Sequence, residues 1–302
     1  MMELRSYSSP FNVGHKALED FWTGEVYVQE KIDGSQFSFG IRDGQLICRS
    51  RNQMIEGDPG MFDLGVGYAQ ELFTAGKLTE GWTYRGEYLR KPRHNTLRYG
   101  RAPQNYIILF DIDKGDQDYI LPTYLPEIAA QLGLEAVPLL GVLNARPPLE
   151  ELKRYLNELS LLGEVKIEGI VLKNYKVYDR GHKVLMAKLV ADDFREKHTR
   201  SWAKQNPSQT ALVDDIIQMF RTEARWTKAR QHLREAGLLE GSPRDIPALM
   251  REVSEDIFRE EKEEIAERLF KYFWKQISRG VTKGLPEWYK ETLIEEAFDG
   301  GA

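Results

Sequence analysis

The sequence predicts an α+β chain in two parts. A mixed, mainly antiparallel region occupies residues 1–195, and an all-helical region occupies 196–302. Three observations predict this. Short β-prone runs recur through the first two-thirds, and the helical stretches between them do not alternate as parallel βαβ units would. Asp43-Gly44 separates two adjacent runs, a strong hairpin signal. After about Asp193 no strand pattern follows, and apolar residues recur at helical steps instead.

Taken in order, residues 25–32 read as a strand that runs into Glu30-Lys31-Ile32-Asp33-Gly34. Residues 36–42 and 45–49 form the hairpin around Asp43-Gly44. Residues 61–76 read as a helix stopped by Gly76. Strands are expected at 82–89, 106–112, 167–174 and 183–190, with helices at 125–134 and 148–159. Residues 192–200 read as a hinge. The glycines and prolines of 237–247 break two helical stretches. Beyond them, Ile246, Leu249, Val253, Ile257, Ile265, Leu269, Phe273 and Ile277 recur mostly at three- and four-residue steps. They predict an amphipathic helix lying on a core, with Glu261 interrupting the stripe. Trp202, Trp226, Trp274 and Trp288 are expected to pack among these helices.

Composition sets limits. The 302 residues suffice for two domains, and 41% hydrophobic with 29% charged residues is ordinary for a soluble globular chain. No apolar run is long enough to span a membrane, and the N-terminus has no apolar signal core. The single cysteine, Cys48, cannot form an internal disulfide and lies in the apolar run Leu46-Ile47-Cys48, so it is expected in a buried strand. A reducing cytoplasm fits. A net charge of −5 argues against a chain coated in nucleic acid, though not against a local basic groove.

Lys31 follows an apolar strand and precedes Asp33-Gly34. Such a lysine becomes a nucleophile only when its amine is neutral, which desolvation or nearby positive charge promotes. A bare Lys-x-Asp-Gly also describes a surface lysine beside an ordinary turn. Gly34 permits a tight turn or close approach of a ligand, and the Asp33 side chain can fix that turn. Arg51 can hold a phosphate by paired hydrogen bonds. Arg49, two residues earlier on the same strand face, competes for that role. Arg93, His94, Arg98 and Arg101 fall in the densest basic segment, interleaved with aromatic and amide groups, and are candidates for nucleic-acid contact. No Cys/His zinc pattern exists.

What raises Lys31 above chance is the ordered set downstream: Ser50-Arg51-Asn52, Arg85-Gly86-Glu87-Tyr88-Leu89, Ile108-Leu109-Phe110-Asp111-Ile112, Glu168-Gly169-Ile170-Val171-Leu172-Lys173 and Met186-Ala187-Lys188-Leu189. This order resembles the covalent nucleotidyltransferases: ATP-dependent RNA and DNA ligases and mRNA capping enzymes. It is most similar to the nick-sealing RNA ligases of bacteriophages and of kinetoplastid RNA editing, motif by motif over about 25–195. The resemblance implies an antiparallel-sheet nucleotidyltransferase domain that uses ATP and Mg2+ or Mn2+. It implies that Lys31 is adenylylated, that Glu30, Asp33 and Gly34 frame the nucleotide, and that Glu30 acts on adenine through backbone groups. It assigns Arg51 to a phosphate, Glu87 to the ribose, Phe110 to stacking on adenine, Glu168 to the metal, and Lys173 and Lys188 to phosphates. One departure stands out. The phage-type enzymes carry two lysines one residue apart, and here Met186 occupies the first position.

The implied partner is RNA with 5′-phosphate and 3′-hydroxyl ends, in a nicked duplex, with no membrane and no protein partner. The helical tail speaks against a DNA nick ligase or a capping enzyme, whose catalytic domains are followed by an OB barrel. The remaining alternative is an inactive relative that binds nucleic acid or nucleotide without chemistry.

Overall fold

The computed structural model describes residues 4–179, 181–191 and 209–299. The expected hinge at 192–200 and Trp202 lie outside them.

Ten strands form two five-stranded sheets. They are β1 (Phe11–Asn12), β2 (Val26–Lys31), β3 (Ser35–Arg42), β4 (Gln45–Ser50), β5 (Thr83–Tyr88), β6 (Ile107–Asp113), β7 (Glu135–Ala136), β8 (Leu139–Leu143), β9 (Gly169–Tyr178) and β10 (Val184–Val190). One sheet has the order β1-β10-β9-β2-β8 and the other β4-β3-β5-β6-β7. Pairings are antiparallel except β1 with β10 and β6 with β7. Three helices accompany the sheets: α1 (Asp63–Thr74), α2 (Leu125–Gln131) and α3 (Leu149–Tyr155). Four follow: α4 (Gln209–Phe220), α5 (Glu223–Glu235), α6 (Ile246–Val281) and α7 (Leu285–Asp299).

Successive side chains of a strand point to opposite faces, so the sheets present one face to a core and the other to the cleft. On the second sheet Phe37, Phe39, Cys48, Tyr84 and Leu109 pack with Ala69 and Leu72 of α1 and Leu125 and Ala129 of α2. On the first, Val26, Val28, Ile170, Leu172 and Ala187 pack with Leu152 of α3. The intervening residues of β2, β9 and β10 (Lys31, Lys173 and Lys188) take the opposite face, toward the second sheet. The thiol of Cys48 is pushed up to about 12 by burial, so it is an inert core group.

The structure differs from the expectation for α6. Its buried residues are the charged Asp256 and Glu261. Of the stripe, Ile246 and Ile277 are exposed, and Leu249, Val253, Ile257, Ile265, Leu269 and Phe273 are half-buried. Arg225 of α5 is fully buried and pairs with both Asp256 and Glu261, while Lys228 reaches Asp256 at 3.1 Å and Glu260 at 2.9 Å. The interruption at Glu261 is therefore the anchor of the α5–α6 contact. Trp226, Trp274 and Trp288 are about half exposed rather than packed inside.

Candidate active site

Ladder register builds the centre of the site. Lys31 ends β2 opposite Gly169, the first residue of β9, so Glu168 arrives beside it. Lys31 Nζ donates to Glu168 Oε1 at 2.7 Å and Oε2 at 2.6 Å. Gly169 is required here because a Cβ would strike the Leu189 carbonyl of β10. Burial alone would pull the Lys31 ammonium down. The Glu168 carboxylate outweighs it, assisted by Glu87 and Asp33, and holds Lys31 above the ordinary lysine value. Lys31 is therefore a cation paired with Glu168.

Glu87 lies on β5 across the cleft. Burial pushes its carboxyl up to about 8; Lys31 opposes this, and Glu235, Glu168 and Asp33 reinforce it. Gly34 is set by close approach: a Cβ would lie 2.6 Å from Glu87 Cγ and 2.9 Å from the Tyr88 carbonyl. Asp33 serves the neighbouring loop instead of its own turn, accepting from the backbone N–H of Thr96 at 2.8 Å and of Leu97 at 2.7 Å. Its own N–H donates to Tyr99 Oη at 2.7 Å. The Glu30 carboxylate takes the strand face opposite Lys31 and accepts from Leu161 N–H at 3.1 Å.

The two candidate arginines separate cleanly. Arg49 is buried and donates to the carbonyls of Leu4 and Ser50. Arg51 is partly exposed, donates to Ser9 Oγ at 3.1 Å and stands 3.6 Å from Glu260 of α6.

Lys173 is buried, donating to Asp111 Oδ2 at 2.9 Å and to the Phe110 carbonyl at 2.8 Å. Asp111 also accepts from the hydroxyls of Tyr7 and Tyr175. The Phe110 ring is half-buried, packs on Tyr7 at 5.1 Å between centroids, and has the Lys173 ammonium 5.2 Å away. Met186 lies opposite Lys173 in the ladder and is buried among Tyr27, Tyr119 and Tyr175. Position 186 therefore belongs to a closed tyrosine cluster in which Lys173 already supplies the cation for Asp111. Lys188, next on the same strand face, is half-buried and contributes positive charge at Glu168.

The basic segment divides. Arg93 and Arg98 are exposed. His94, expected at the surface, is buried; it accepts from Arg90 N–H through Nδ1 at 3.2 Å and meets Ser35 Oγ through Nε2 at 2.9 Å. Burial, with Arg234 and Lys91 nearby, lowers it to about 4, so it is neutral. Arg101 is held by Glu135 through two hydrogen bonds, at 2.6 and 2.8 Å.

Residues without a sequence motif complete the site. Gln231 of α5 donates to the Gly34 carbonyl at 2.7 Å, and Arg234 donates to Asn95 Oδ1 at 2.6 Å. Glu235 adds its charge to that around Glu87. Nothing local marks these positions, because their role exists only when α5 meets the loop after β2. Chemically, the cleft sets a protonated lysine among carboxyl groups, with arginine and lysine nearby.

The family model for RNA ligases matches residues 24–190. Among solved structures, the Naegleria gruberi RNA ligase with PPi is 20% identical, with a TM-score of 0.49 over 63% of this chain and 57% of that one. A mutant of it with ATP and Mn is 18% identical, with a TM-score of 0.49 over the same shares. Another, with AMP and Mn, is 18% identical, with a TM-score of 0.48 over 63% and 57%. The match thus spans just over half of those chains. No curated protein matches. Because the family model covers more than half of the 302 residues, the chain belongs to the RNA ligase family.

Proposed function

We propose that the protein is an ATP-dependent RNA ligase of the nucleotidyltransferase type, acting on 5′-phosphate and 3′-hydroxyl ends at a nick in duplex RNA. The observation that carries this reading is the Lys31–Glu168 pair at the mouth of a cleft that also holds Glu87 and Lys188. Lys31 Nζ attacks the α-phosphorus of ATP. A P–N bond forms, the α–β P–O bond breaks, pyrophosphate leaves, and the amine proton passes to solvent. The 5′-phosphate of RNA then takes AMP from Lys31, and the 3′-hydroxyl displaces AMP to form the phosphodiester. Each step is an in-line displacement, so positioning and charge stabilisation dominate.

A divalent cation fits the donor set. Magnesium and manganese accept hard oxygen ligands, and magnesium keeps several waters. Glu168 offers a carboxylate whose surroundings Asp33 makes more negative. Among the described residues no cluster of three or more His, Cys, Asp or Glu could hold a metal alone, so phosphate and water oxygens would complete the shell around Glu168. The cation supplies positive charge to the developing phosphorane. Glu168, shared with a bound cation, would hold the Lys31 proton less firmly.

In this reading Glu87 meets the ribose hydroxyls, Phe110 stacks on adenine, and Arg51 and Lys188 meet phosphates. The Glu30 carboxylate stays out of the pocket, so its backbone meets the base. Lys173, expected at a phosphate, is instead buried and donates to the Phe110 carbonyl and to Asp111, so it positions Phe110. Among the described residues no helix is long and apolar enough to cross a membrane; a cytoplasmic setting is part of the same proposal. The substrate is tested by offering nicked RNA duplex, the same nick in DNA, and free single-stranded RNA ends with ATP and magnesium. Joining confined to the RNA nick supports the reading. Preference for the DNA nick, or joining with GTP in place of ATP, overturns it.

A further inference from the structure

A groove of about 1210 Å³ runs between residues 9–16 and the C-terminal half of α6, and Lys188 forms part of its wall. It therefore shares Lys188 with the candidate site. Its charge is unevenly used. Near the cleft the glutamates are neutralised: Glu263 pairs with Lys16 at 3.0 Å and Glu264 with Arg268 at 2.7 Å. Farther along, Lys271, Lys275 and Arg279 line the groove at successive four-residue steps. They form one stripe, about 12 Å long at a rise of 1.5 Å per residue. All three are exposed and have no ion pair among the described residues. Like charges at four-residue spacing repel and weaken a helix. A polyanion laid along the stripe would remove that repulsion.

We propose that this groove is the track for one RNA strand, with Lys271, Lys275 and Arg279 each meeting a backbone phosphate and the strand leading to Lys188. The inference rests on the ligase reading and adds to it a binding surface outside the family-matched region. Glu267, one turn before Lys271, lines the same groove and opposes the strand, so removing its charge should tighten binding.

The test is binding of a short 5′-phosphorylated single-stranded RNA to the full chain across a salt series. The triple variant Lys271→Ala, Lys275→Ala, Arg279→Ala should lose about tenfold in affinity at about 0.1 M salt. Its plot of log K against log salt should flatten by about 2, at about 0.7 per phosphate contact. Glu267→Gln should bind severalfold more tightly. As a control, Lys114→Ala with Lys176→Ala, in a separate cleft, should leave the slope unchanged. An unchanged slope in the triple variant overturns the track, as does equal flattening in the control or no gain from Glu267→Gln. Adenylylation of the wild type is read in parallel. If it occurs while the slope stays unchanged, the groove fails and the ligase reading stands. If wild type neither adenylylates nor binds RNA, both fail.

Discussion

Replacing Glu87 with glutamine should make the protein more stable at alkaline pH while weakening its use of ATP. The Glu87 carboxyl is pushed from 4.5 up to about 8, chiefly by burial. Between those values the folded chain holds a proton that the unfolded chain has released. Stability therefore falls as pH rises through this window, and the full penalty is present above about pH 8. At about 1.4 kcal/mol per pH unit, the upper limit is about 5 kcal/mol. Glu87 is half-buried, so solvent screens part of it, and about 2 kcal/mol is the working figure. Glutamine keeps the shape and has no charge to bury. The assay is thermal unfolding of wild type and Glu87→Gln at about pH 5 and about pH 9. The difference between variants should change by about 4–8 °C in favour of glutamine on going to the higher pH. ATP-dependent adenylylation should fall in the same variant, because the amide offers the ribose hydroxyls one acceptor oxygen where the carboxyl group offers two. A variant difference that does not change with pH would refute the reasoning, since the buried charge would then carry no strain.

Other perturbations read other parts of the molecule. Lys31 is held protonated above the ordinary lysine value, so single-turnover adenylylation should accelerate from about pH 6 to about pH 9, close to tenfold per unit; a flat profile would contradict a lysine that must lose its proton. Arg225→Ala leaves Asp256 and Glu261 buried without their cation and should destabilise the helical region by about 3–5 kcal/mol in urea unfolding. Gly169→Ala drives a methyl group into the Leu189 carbonyl and should cost about 1–3 kcal/mol while displacing Glu168, seen as lower stability and slower adenylylation together.

The first sheet-forming strands were legible because β2 and β4 carry short apolar runs, Val26-Tyr27-Val28 and Leu46-Ile47-Cys48, and Asp43 and Gly44 both adopt positive φ in the turn between β3 and β4. β1 and β7 are two residues each, too short to leave a pattern, and β8 is a brief apolar run that reads equally well as loop. The stripe on α6 was visible but its meaning was not: periodicity reports a face, and the pairing of Arg225 with Asp256 and Glu261 decides what that face buries. Lys31, Glu87, Glu168 and Lys188 could be named from local motifs. That Glu168 grips Lys31 could not, because it follows from the register of β2 against β9 across 137 positions. The same holds for Gln231, which meets Gly34 from 197 positions away. His94 shows the opposite limit, since a basic segment does not reveal which of its members turns inward.

The most direct test is the intact mass of nucleotide-free protein after incubation with ATP and magnesium, for wild type and Lys31→Ala. A gain of one AMP in wild type and none in Lys31→Ala is the predicted result. An adenylate that persists in Lys31→Ala, or a wild type that gains nothing with magnesium or manganese, would contradict Lys31 as the nucleophile.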